Sequence, residues 1–446
     1  MLHSHEALDR PGGFSRLNLL IPLRHRNFRL LWAGMTVSLL GDGVFLVALA
    51  WQAYQLWNTP AALSVVGIGM TVPTVVCLLP AGVISDRFDR RSVMLGADVV
   101  RLVAIAVLAF LALTHALRMW ELVALVAVYG IGTAFFTPAF EAMVPTLLPS
   151  TDLAAANSLD QFVRPIAGRL AGPALGGALV AGLGAGTAFA VDAVSFAGSL
   201  LALLALPAAG RPHDGSSESS FAALKEGLGF VRSRVWLWGT LISAAIAYLL
   251  FLGPTEVLLP YLVKNSVHGS ARDLGLVFAA GGIGAIFAAV VMAQRGHPNR
   301  DVTFTYVCWT VATLAVAGYA LATASWQLML ASLLFNALET AGTIVWATIK
   351  QRHVPSSLLG RVSSLDWLVS IGLVPLSFAL TAPVAAAVGV RATLIGAAAL
   401  GGAITLGALF LPGMRDIEGD LVSTGDPTEG DRKGRPYYGA EVPSRP

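Results

Sequence analysis

Apolar blocks about as long as a bilayer is thick recur twelve times along this chain, and they leave little choice of fold. A helix needs roughly 20 apolar residues to cross the hydrocarbon core. Blocks of that kind fall near 28–56, 62–84, 92–114, 119–142, 160–182 and 185–206. After a polar break they resume near 235–260, 271–293, 303–323, 326–349, 361–388 and 391–411. Lipid offers no partner for an open backbone, so all twelve are expected to be helices. Only 12% of the 446 residues are charged, against 56% hydrophobic. A soluble chain carries about 25% charged residues, so lipid must be the solvent for much of this surface. The expected fold class is an all-α membrane protein with twelve transmembrane helices.

Lysine and arginine set the expected orientation. Segments on one side carry Arg10, Arg16, Arg24, Arg26 and Arg29, then Arg87, Arg90 and Arg91, then the linker and later loops up to Arg361 and the tail. The other side carries Arg118, Lys264, Arg272 and Arg391. The positive-inside rule then puts both termini in the cytoplasm. Two halves echo one another. Ser158-Leu159-Asp160 opens the fifth block and Ser364-Leu365-Asp366 the eleventh, and Trp32 and Trp238 share the same offset. The domain plan read from this is a cytoplasmic segment 1–27, a six-helix bundle 28–206, a linker 207–234 ending in an amphipathic helix, a second six-helix bundle 235–411, and a disordered tail 412–446. Parallel six-helix repeats are one known plan of secondary transporters, with a site near mid-membrane between the halves.

Several function classes find no support. The net charge of +3 is small and its basic residues lie between apolar blocks, so no nucleic-acid partner is expected. Cys77 and Cys308 sit in apolar segments of different halves and read as core residues rather than a disulfide or metal pair. No phosphate loop, nucleophile elbow or metal-ligand spacing is present, so neither ATP, cofactor nor enzymatic chemistry is expected. The N-terminal run LNLLIPL is too short for a cleavable signal.

Two motifs carry more. The stretch GRLAGPALGG fits G-x-x-x-G-P-x-x-G-G through Gly168, Gly172, Pro173, Gly176 and Gly177. Gly168, Gly172 and Gly176 share one helix face, where a neighbouring backbone can come close. Pro173 removes a donor and bends the helix. A plain glycine contact would use the same residues. The loop after the second block, GVISDRFDRR, places Gly82, Asp86, Arg87, Arg90 and Arg91 in the pattern G-x-x-x-D-R-x-G-R-R, with Asp89 where the pattern has glycine. Carboxylate and guanidinium at that spacing can latch two halves together, or simply hold topology as a basic loop.

These stretches resemble the antiporter motif and the first cytoplasmic signature of the major facilitator superfamily. Asn27-Phe28-Arg29, Gly41-Asp42, Ala156-Asn157-Ser158-Leu159 and Asp192-Ala193-Val194-Ser195-Phe196 narrow the resemblance to the drug–proton antiporter branch that includes enterobactin and macrolide exporters. The resemblance implies the major facilitator fold, two six-helix halves alternating access, and efflux of an amphiphilic drug, siderophore or secondary metabolite in exchange for protons. Nutrient uptake and a non-transporting sensor are the alternatives. The chain departs from many such antiporters by having Val126 where they carry an arginine in the fourth span.

Embedded carboxylates are the remaining signal. Asp42 lies about 14 residues into the first block, roughly 21 Å along a helix, and an ionisable group at mid-depth is a functional candidate. It reads as the main proton-coupling candidate, with Glu339 second. Asp98 and Arg101 form either a partial substitute for the missing arginine or a structural i,i+3 pair. Asp192 and Glu256 fall nearer the outer face, and Glu141, Asp160 and Asp366 nearer the cytoplasm, where they would cap or pair. Trp51, Tyr54, Phe135, Phe136, Tyr248, Phe251, Phe335 and Trp346 are candidates to line a cavity, although aromatics also simply pack. The expected partners are a small-molecule substrate, protons and the bilayer, around a monomer.

Overall fold

The computed structural model describes residues 18–207, 220–295 and 298–418. Twelve helical spans cross the molecule. In the first half they are α1 (Arg26–Leu56), α2 (Pro60–Arg87), α3 (Arg90–Leu113) and α4 (Met119–Leu147). A broken fifth span follows, made of α5 (Leu153–Arg164), a π-helical turn (Pro165–Ala171) and α6 (Gly172–Leu183), and then α7 (Ala185–Leu204). A surface helix α8 (Ser220–Arg232) precedes the second half. That half contains α9 (Val235–Asn265), α10 (Ala271–Arg295), α11 (Asp301–Leu321), α12 (Ser325–His353), the broken pair α13 (Ser356–Gly372) and α14 (Val374–Val388), and α15 (Val390–Ala408).

Local chemistry accounts for the breaks. Pro60 starts α2, where its missing N–H costs nothing. Asp89 caps α3 by accepting from the Ser92 amide at 3.0 Å, which gives the departure from the loop pattern a structural role. Single glycines with positive φ, Gly184 and Gly389, join α6 to α7 and α14 to α15. Only glycine tolerates that conformation readily, and the two turns occupy equivalent places in the two halves. The π-helical turn has its own cause. Pro173 has no N–H to give the Arg169 carbonyl, and the Gly172 amide instead reaches back to Ala167, which inserts an extra residue into the turn.

The packing repeats. In the first half α1 and α3 both lie on α7, and α3 and α2 lie on α4. In the second, α9 and α11 lie on α15, and α11 and α10 lie on α12. Large apolar side chains such as Phe110 (65% exposed) and Phe287 face outward, as lipid permits and water does not. Between the halves, α6 and the π-helical turn pack on α10, and α14 packs on α2. One end is shut. Asn58 and Asn265 exchange amide hydrogen bonds at 2.7 and 3.2 Å. Just inside, Tyr54 donates to the Val257 carbonyl and Lys264 to the Tyr54 carbonyl, each at 2.5 Å. At the opposite end, polar side chains bond within their own half. Arg90 donates to Ala142 O at 2.8 Å, Arg91 to Leu203 O at 2.8 Å, and Arg361 of α13 pairs with Glu226 of α8.

One boundary moves. The tail was expected to be disordered from Pro412, but residues 412–418 fold back onto the second half. Met414 is fully buried against Gly239, Thr240 and Tyr306. Glu418 accepts from the Thr303 amide at 2.5 Å, at the start of α11. Two buried apolar side chains, Met414 and Ile417, and one cap hold a segment that its polar composition does not reveal. The segments 1–17, 208–219, 296–297 and 419–446, including the first part of the expected linker and most of the expected tail, lie outside the described residues.

Candidate functional site

Two polar systems occupy the interior, one in each half. The first lies inside the bundle of α1, α3, α4 and α7. Tyr129 of α4 donates to Asp42 Oδ1 at 2.7 Å. Arg101 of α3 (4% exposed) pairs with Asp98 (0% exposed) one turn earlier. Its guanidinium carbon lies 4.1 Å and 4.6 Å from the ring centres of Phe136 and Phe196, a stacking that favours a desolvated cation. Ser199 of α7 donates to Asp98 Oδ2 at 2.7 Å. Asp192 of α7 (0% exposed) accepts from Ser195 at 3.2 Å, while its Oδ2 and the Arg101 Nε are buried without a partner among the described residues.

Glycines make the room. A Cβ on Gly41 would collide with Ser195 and Asp192, and one on Gly132 would lie 2.6 Å from the Arg101 Cγ. Asp192 therefore comes level with Asp42 rather than lying nearer the outer face, because α7 packs along α1 at that height. Asp98 and Arg101 form the i,i+3 pair that their spacing allows, and it is sealed within the bundle. Three carboxyl groups surround one guanidinium, so full ionisation would leave an excess of two negative charges where burial costs several kcal/mol per ion.

The second system is a cavity of about 600 Å³ set mainly in the second half. Tyr248, Phe251, Phe335 and Trp346 line it, as their positions allowed. Trp51, Tyr54, Phe135 and Phe136 do not. Tyr54 serves the shut end, Phe136 stacks on Arg101, and Trp51 lies beneath Lys264 at 5.8 Å. The cavity's charged residues are Glu256, Glu339, Lys350 and Asp366 from the second half and Arg169 from the first. Lys350 and Asp366 pair at 2.5 Å, and Trp346 also donates to Asp366 at 3.0 Å. Glu339 accepts from Thr343 at 3.0 Å. Asp42 is not among the cavity residues, so the two proton-coupling candidates lie in different compartments.

The glycine motif joins these compartments. A Cβ on Gly172 would sit 2.7 Å from Gly43 Cα, and one on Gly176 would sit 2.8 Å from Val44 Cα. The face of Gly168, Gly172 and Gly176 is thus pressed against α1. Its back is pressed against α10 of the other half. A Cβ on Gly275 would lie 2.5 Å from Pro173 O, one on Gly177 would lie 2.9 Å from Gly275 Cα, and one on Gly282 would lie 2.5 Å from Arg169 O. Sequence reasoning found the first face and missed the second, along with Tyr129, Ser199 and Arg169. In the loop after α2, Arg90 and Arg91 cap helices of their own half, and Gly82 has open space around it. The Asp86 side chain lies outside the described part, and Arg87 is exposed.

Among known proteins, residues 18–424 match the family described as transmembrane secretion effector, within the major facilitator superfamily. The chain is 29% identical to the multidrug efflux pump Tap of Mycolicibacterium fortuitum over 87% of this chain and 96% of that one. It is 27% identical to the enterobactin exporter EntS of Citrobacter koseri over 89% of each. A match to the MFS-type transporter YfiS of Bacillus subtilis, 27% identical, spans 63% of that relative's length. The fold is similar to the crystal structure of a bacterial homologue of the iron transporter ferroportin in the inward-facing state. The TM-score is 0.64 and the identity 16%, over 88% of this chain and 99% of that one.

Proposed function

Because the chain belongs to the transmembrane secretion effector family of the major facilitator superfamily, we propose that it is a secondary exporter of amphiphilic small molecules, driven by proton antiport. The carrying observation is the aromatic cavity of about 600 Å³ between the halves, closed at the Asn58–Asn265 end. With both termini cytoplasmic, as the lysine and arginine asymmetry favours, that closed end is the outer one and the substrate loads from inside. Rocking about the α6–α10 and α2–α14 contacts would reverse the access. The loop at Arg87, Arg90 and Arg91 would then bridge the halves as a latch in the opposite state.

The proton sites follow from chemistry. The network of Asp42, Tyr129, Asp98, Arg101 and Asp192 holds three carboxyl groups against one cation, so taking up or giving up a proton changes the cost of its burial. Arg101 is a cation within the N-terminal bundle that the missing arginine of the fourth span would otherwise supply. Glu339, in the cavity wall, is placed to exchange its proton against the substrate directly. The names of the relatives, a multidrug pump and an enterobactin exporter, favour outward transport of drugs or metabolites over uptake. Inverted membrane vesicles decide it. An imposed inward-acidic gradient should drive ethidium or a macrolide into the vesicle lumen. Movement with the proton would mean uptake, and no flux of any member of a drug panel would remove the transport reading.

A further inference from the structure

Arg169 stands in a variable position of the glycine motif, and the π-helical turn aims it out of the first half into the cavity of the second. Its backbone is clamped, since its carbonyl is covered by Gly282. Its guanidinium is exposed to the cavity, and among the described residues it makes no hydrogen bond or ion pair. Glu256 of α9 also lines the cavity without a hydrogen-bond or ion-pair partner, and Glu339 holds only Thr343. Lys350 and Asp366 neutralise each other nearer the open end. The resting cavity is therefore bipolar: the first half supplies one cation and the second half two carboxyl groups, and among the described residues none of these charges is bonded to another, although Arg169 and Glu256 attract each other across the space.

Resting on the exporter reading, we propose that the cavity selects zwitterionic amphiphiles, with the solute's acidic group taken by Arg169 and its basic group by Glu256 and Glu339. Such a solute gives direct contacts to charges that the empty cavity holds apart, and a guanidinium meets a carboxylate in a two-pronged geometry. Aromatic walls at Tyr248, Phe251 and Trp346 accept its ring system. The solute also connects the two halves. Its acid end is held by α5–α6 and its basic end by α9 and α12, so its presence is felt by both bodies that must move. A simple cation engages the second half alone and meets Arg169 as a like charge.

The test uses two dyes of one scaffold, rhodamine 110 with a free carboxyl group and its methyl ester rhodamine 123. Binding to the purified full chain in nanodiscs is followed by dye anisotropy at neutral pH. Wild type should prefer the acid dye. Arg169→Gln should lower the ratio of acid to ester affinity about tenfold, as loss of a charge-assisted bond does, and Arg169→Lys should restore part of it. Glu256→Gln should weaken both dyes, since both carry the basic group. An unchanged ratio in Arg169→Gln, or a wild type that prefers the ester or binds neither dye, overturns the proposal. Ethidium lacks a carboxyl group and reports separately. If vesicles still pump ethidium, the exporter reading stands whatever the acid dye does.

Discussion

Gly43 of the first span and Gly172 of the fifth touch backbone to backbone, with room for no side chain between them: a Cβ on either would lie within 2.8 Å of the other's Cα. The contact continues one turn on at Gly176 and Val44. In lipid, where helices gain little from burying apolar surface, such close approach is a principal source of adhesion.

Gly172→Leu should therefore force α1 and α6 apart, with a cost of about 1–3 kcal/mol. The variant should insert and be purified, melt several degrees lower in detergent, and transport weakly or leak. Gly275→Leu, on α10 where that helix meets the opposite face of α6, should leave the first half intact and hinder movement between the halves. Wild-type flux in both would mean that neither contact moves during transport.

Asp42 and Tyr129 can be tested as a pair. Asp42→Asn should abolish uphill transport and its pH dependence but keep counterflow, which need not load or release a proton. Tyr129→Phe leaves Asp42 Oδ1 without its donor and should impair uphill transport in the same direction, less severely. If Asp42→Asn expresses well and still concentrates substrate, the coupling site is elsewhere and Glu339 is next in line.

Breaking the shut end should change which side can reach the cavity. Lys264→Met with Asn265→Ala removes the bonds to Tyr54 and Asn58. In a background lacking Cys77 and Cys308, a cysteine at Thr255 in the cavity should react faster with an impermeant maleimide added outside whole cells. Unchanged labelling would mean that packing alone keeps that end closed.

Met414→Ala should lower the melting temperature by removing a fully buried side chain, a loss of about 2–5 kcal/mol for such truncations. Ile417→Ser should act in the same direction. Transport per folded molecule should be little affected, because neither side chain lines the cavity. A melting temperature equal to wild type would show that the segment merely rests on the bundle.

Orientation can be read from two cysteines. Thr114→Cys between α3 and α4 should label with impermeant maleimide in whole cells, whereas Ser233→Cys between α8 and α9 should label only after permeabilisation. The reverse pattern would invert the topology and, with it, the direction assigned to the cavity mouth.

The helices were legible because hydropathy is a local signal and lipid enforces helix wherever it is met. The first face of the glycine motif was legible for the same reason, since Gly168, Gly172 and Gly176 follow the helical period. The bond from Tyr129 to Asp42 was not, because it joins residues 87 apart and no periodicity marks such a pair. Asp192 was placed too near the outer face because counting along one helix ignores how far its neighbour is shifted. Arg169 was passed over as a variable letter within a motif. Its meaning depends on Gly275 and Gly282 of another helix and on the turn that points it inward. Met414 was hidden by the polar residues around it.

The π-helical turn at Pro165–Ala171 also alters how this protein can be compared with its relatives. One extra residue rotates everything beyond it by about 100° relative to a straight helix. A relative with a regular fifth helix and an identical string of glycines would present them to different neighbours. Deleting a single residue from the turn would restore a regular α-helix and leave Gly172 and Gly176 facing α1, whereas straightening the turn at unchanged length would swing them off it. Spelling is thus an incomplete guide to equivalence here, and ungapped superposition of motif on motif assigns contacts to the wrong side of the helix.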